Sequence, residues 1–80
     1  MTKKAKNIFE TYEMKLKLEI DIYNLGVTDT DKTLKHLHEI EEQFGELITG
    51  MYFYKLLSEK DFSELHSLKF PTYMKYWDMI

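Results

Sequence analysis

From Met14 to Ile22, the apolar residues Met14, Leu16, Leu18, Ile20 and Ile22 alternate strictly with the charged Lys15, Lys17, Glu19 and Asp21. Successive side chains of a strand point to opposite faces, so this period of two predicts a half-buried antiparallel strand over residues 14–22. A second period runs through the same stretch. Phe9, Tyr12, Leu16, Ile20 and Tyr23 recur every three or four residues, and Leu25-Gly26-Val27 fits a glycine helix cap, which would make residues 4–25 one helix. The helix leaves Met14, Leu18 and Ile22 on a separate apolar face, and for that reason the strand is preferred.

Thr28-Asp29-Thr30-Asp31 carries helix-start chemistry, with Thr28 as cap and Asp31 reaching back from three residues on. Leu34, Leu37, Ile40 and Phe44 then mark one helical face, and Gly45 is the expected stop. Residues 47–56 are dense in aromatic and β-branched side chains and contain Gly50, which predicts a second strand. Ser58-Glu59-Lys60-Asp61 repeats the capping pattern and opens a short helix through Phe62, Leu65 and Leu68, which Phe70-Pro71 breaks. Residues 72–80 read as a third strand or a docked helical turn. The fold class expected is therefore α+β in the order β-α-β-α, with the C-terminal segment joining or covering the sheet, and an all-α helical bundle is the alternative.

Eighty residues suit one small domain, residues 1–80. No apolar run approaches the ~18 residues of a membrane helix, and no signal-type stretch follows the lysines at the N-terminus, so the expected location is cytoplasmic, with no membrane partner. Cysteine is absent, which excludes disulfides, thiol nucleophiles and cysteine-ligated metals. All eleven cationic side chains are lysine, a usage that suggests an AT-rich genome such as that of a low-GC bacterium or its phages and plasmids. Without arginine the bidentate fork that reads guanine or clamps carboxylates is missing. The net charge of −3 is unevenly spread: residues 1–17 carry +3, residues 18–50 carry −6, and the rest balance.

His38 and Glu42 stand one helical turn apart, as metal ligands do. However, Glu42 occupies the position where the His-Glu-x-x-His pattern requires a second histidine, and a third ligand would have to come from His66. The serines lack a nucleophile-elbow context and the three glycines are scattered, so no metal, cofactor or catalytic residue is expected. Nucleic-acid binding would rest on Lys3, Lys4, Lys6, Lys15 and Lys17 with Phe9 or Tyr12 stacking, and an acidic pI near 5.5 weighs against it.

Two features point to a protein partner. Phe70, Tyr73, Tyr76 and Trp77 crowd the last eleven residues, and Tyr and Trp are favoured interface anchors. Glu39, Glu41, Glu42 and Glu46 gather at the expected C-terminal end of the helix from Thr28, where its dipole disfavours negative charge. The expected function is a non-enzymatic protein-binding module, in concrete form a phage- or plasmid-borne inhibitor or regulator that occludes a larger host protein. Its partner-binding residues are Phe70, Tyr73, Tyr76, Trp77, Glu39, Glu42 and Glu46. Self-assembly, as a homodimer or larger homo-oligomer, is the alternative, and a weak nucleic-acid-binding regulator comes third.

Overall fold

The computed structural model describes residues 1–80 and contains three α-helices and no strand. Helix α1 spans Lys3–Asn24, α2 spans Thr30–Phe53 and α3 spans Glu59–Trp77. Short connections make successive helices antiparallel, and each of the three packs on the other two. The result is an up-down-up bundle with backbone extents of 41 × 18 × 16 Å. The expected α+β class is thereby corrected to the all-α alternative.

Residues 14–22 belong to α1. The buried positions of that helix are Ala5, Tyr12, Leu16 and Ile20, spaced by four or by seven, which is one face of a helix. Of the five alternating apolar residues only Leu16 and Ile20 are buried; Met14 and Leu18 are 65% and 56% exposed. Their exposure produced the misleading period of two. Gly26 ends the helix as a glycine cap should, at φ +77° in the left-handed region, with its N–H donated to the Tyr23 carbonyl.

Helix α2 begins one residue later than expected, with Asp29 as its cap accepting from the Lys32 N–H at 2.8 Å. It does not stop at Gly45, and the expected strand 47–56 is its last turns followed by a turn. Leu37, Phe44 and Ile48 continue a single buried stripe, and burying that stripe outweighs the ~1 kcal/mol that a glycine costs inside a helix. A side chain at position 45 would crowd Lys69, whose Nζ lies 3.2 Å from where a Cβ would stand.

Helix α3 opens as expected, with Ser58 accepting from the Asp61 N–H at 3.1 Å. Pro71 does not break it. The helix is held on both sides of the proline by buried Leu65, Thr72 and Tyr76, and the Tyr12 hydroxyl donates to the Lys69 carbonyl at 2.7 Å. Pro71 itself is exposed. The C-terminal segment is thus helical to Trp77, neither a third strand nor a separate cover.

One core of ten buried apolar or aromatic side chains runs along the bundle, with Leu16, Leu37, Ile48 and Leu65 fully enclosed. Burying each such side chain contributes about 1.5–3 kcal/mol. The bundle has two poles. One gathers the start of α1, the α2–α3 turn and the start of α3; the other gathers the α1–α2 turn and the end of α3.

Candidate functional site

Between α2 and α3 a ribbon of rings follows the bundle axis. At one end Tyr52 stacks on Phe62 at 4.6 Å, and Phe62 reaches His66 at 5.8 Å. Farther along α3, Phe70 packs against Tyr73 at 6.1 Å, and Tyr73 meets the edge of His38 at 6.3 Å. His38 Nε2 lies 2.8 Å from Glu42, which joins the ribbon to the carboxylates of α2. Residues three and four apart share a helix face, so Glu39, Glu42 and Glu46 form one exposed acidic line, and Trp77 extends the line of Phe70 and Tyr73. Phe70 is 58% exposed and Trp77 40%. Glu42 and Phe70, far apart in sequence, are thereby brought to one face through His38 and Tyr73.

Two of the expected assignments change. Tyr76 is a core residue, 6% exposed, with the Lys75 ammonium 5.2 Å above its ring, and it leaves the partner-binding set. Glu41 is not on the acidic line but buried beneath it. Because α2 runs on to Phe53, Glu39 to Glu46 sit in mid-helix, and the dipole argument for them no longer applies.

Beneath the face lies a polar layer. Tyr12, stacked on Phe44 at 4.0 Å, has its hydroxyl pushed well above the usual tyrosine range, first by burial and then by the charges of Glu41 and Tyr73. Burial and Glu41 raise Tyr73 as well. Tyr76 is raised by burial and by Glu13, with Lys75 opposing. These phenols therefore stay protonated under ordinary conditions, and the Tyr12 hydroxyl donates to the Lys69 carbonyl. No buried side-chain polar atom of the bundle lacks a partner.

His66 lines a polar hollow with Glu42, Gly45, Glu46, Thr49 and Lys69, yet no three His, Asp or Glu side chains converge as metal ligands would. Of the rings considered for stacking on a base, Tyr12 is buried and Phe9 half-buried. A small apolar groove of about 160 Å³ opens between α1 and α2, lined by Ile8, Ile40, Phe44 and Leu47 with Lys15 at its rim.

Sequence reasoning missed the Tyr52–Phe62 stack and the exposure of Phe53 and Tyr54, because it placed residues 52–54 in a strand. The four-residue register of Tyr52 with Ile48 and Phe44 was the available signal. No helix of the chain is long and apolar enough to cross a membrane. No protein family, no curated protein and no solved structure matches the chain.

Proposed function

We propose that the chain is a non-enzymatic protein-binding module of the cytoplasm that seats a larger partner across the α2/α3 face and occludes the partner's own surface. The observation that carries this reading is the exposure of Phe70 and Trp77 beside the exposed carboxylates of α2. Large rings kept out of a core that is complete without them suit the centre of an interface, with charge at its rim. The matching partner presents an apolar recess bordered by lysine or arginine. An inhibitor or regulator carried by a phage or plasmid is the concrete form we favour, on the all-lysine usage and the compact cofactor-free build.

The test is capture from a low-GC bacterial lysate by the parent and by a Phe70→Ala/Trp77→Ala variant. One host protein should be retained by the parent, released by added salt, and held at least ~30-fold more weakly by the variant, since two hot-spot rings are lost. Equal retention by both would sink the reading. Recovery of the bait alone as a multimer would favour self-assembly, which has its own support in Met14 and Leu18, exposed one turn apart on α1.

A further inference from the structure

The pole that holds the α2–α3 turn carries a second exposed apolar group, far from Phe70 and Trp77. Helix α2 ends there in a tight reversal: the Leu56 N–H reaches the Met51 carbonyl at 2.7 Å, and Lys55 takes φ +61°, a left-handed conformation unusual for a residue with a side chain. The reversal turns Phe53, Tyr54 and Leu56 outward, 78%, 75% and 54% exposed. Phe53 and Tyr54 are the most exposed aromatics in the chain.

Lysines surround them. Lys4 donates its ammonium to the Leu56 carbonyl at 2.9 Å, which sets it directly against the reversal. Lys3 and Lys6 share the first turns of α1, Lys55 is in the reversal, and Lys60 is in the first turn of α3. Among the acids of this pole, Asp61 is bound by Thr2, Glu64 lies 3.3 Å from the Met1 amino group, and Glu59 is exposed beside Lys60, so five lysines face three carboxylates. The pole is basic on a chain whose net charge is −3.

Chemistry discriminates between occupants: three exposed apolar side chains stand among five lysines. Aromatic and leucine side chains settle at the headgroup level of a bilayer, and lysines beside them are drawn to anionic lipid. Lysine's hydrated point charge fits that diffuse attraction and lacks the fork for base readout. We propose that this pole docks reversibly on an anionic membrane surface, with Phe53, Tyr54 and Leu56 inserted and Lys3, Lys4, Lys55 and Lys60 facing lipid phosphates and carboxylates. Surface docking needs no spanning segment, so the lack of one does not oppose it.

The test is sedimentation of the full chain with vesicles of phosphatidylcholine alone and of phosphatidylcholine mixed with phosphatidylserine. The expected result is binding to the mixed vesicles only, weakened by salt. Lys55→Gln and Lys60→Gln should each cost about fivefold, and Phe53→Ala with Tyr54→Ala more than tenfold. Phe70→Ala/Trp77→Ala should bind vesicles like the parent, which separates this proposal from the one on the α2/α3 face. Trp77, at the far pole, serves as an internal reporter whose emission should not shift on docking. Failure to sediment with either vesicle, equal binding to both, or a blue shift of Trp77 would each overturn the proposal. So would binding of a single-stranded oligonucleotide, but not vesicles, lost with the same lysines, which would assign the pole to nucleic acid.

Discussion

Asp61 sits three residues after a serine cap, and the sequence pattern has its carboxylate reach back to that cap. In the structure only half of the box forms. Ser58 accepts from the Asp61 N–H, while the Asp61 carboxylate takes the N–H and the hydroxyl of Thr2. Thr2 meanwhile caps α1 by accepting from the Ala5 N–H at 3.2 Å, so one carboxylate ties the starts of two helices together. The cap was legible because its spacing is local; the bond to a residue 59 positions away was not. The Thr2 hydroxyl, more than any other cause, holds the Asp61 carboxyl below its ordinary 3.8. A lowered acid contributes stability that is fully present above its ordinary value and is lost as pH falls through the folded one. Urea unfolding between pH 5 and 2 should therefore show a loss on the acid side that Asp61→Asn flattens. An acid limb identical in the variant would contradict this role. Glu41 teaches the same lesson: its burial follows from facing Tyr12 and Tyr73 across the bundle, which no spacing on α2 reveals.

At the scale of elements, both helix starts near Thr28 and Ser58 were readable, and so was the glycine cap after α1 as part of the helical alternative. The element types around them were not, because two surface features imitate a strand. Met14 and Leu18 supply alternation from the solvent side, and the cluster Tyr52-Phe53-Tyr54 supplies strand-like composition from an exposed helix end. Gly45 and Pro71 imitate boundaries in the same way, and at both positions long-range packing prevails over local preference. Pro71 still has a cost, since it lacks the N–H that would reach the Ser67 carbonyl one turn back. Pro71→Ala should restore that bond and stabilise the protein by about 1–3 kcal/mol, read as a higher unfolding midpoint. A lower midpoint would mean that the proline shapes α3 instead of interrupting it.

For the whole molecule, the sequence identified the acidic residues and the aromatic C-terminus as separate candidates. Their meeting on one face follows from antiparallel α2 and α3, which the α+β reading had no means to produce. The basic lead seen at residues 1–17 likewise takes shape only in three dimensions, where Lys3 and Lys4 join Lys55 and Lys60 at a pole. The bundle thus divides its surplus apolar surface between an acidic flank and a basic end. Behind both lies the claim that Phe70 and Trp77 stand outside a core that is complete without them. The most direct test is urea unfolding of Phe70→Ala/Trp77→Ala beside Leu37→Ala. Leu37 is fully buried, and its truncation should cost about 2–5 kcal/mol, whereas the double surface variant should lose less than ~1.5 kcal/mol and keep its helical circular dichroism. A loss in the double variant as large as that of Leu37→Ala would show that the two rings belong to the core and that the α2/α3 face is not a free binding surface.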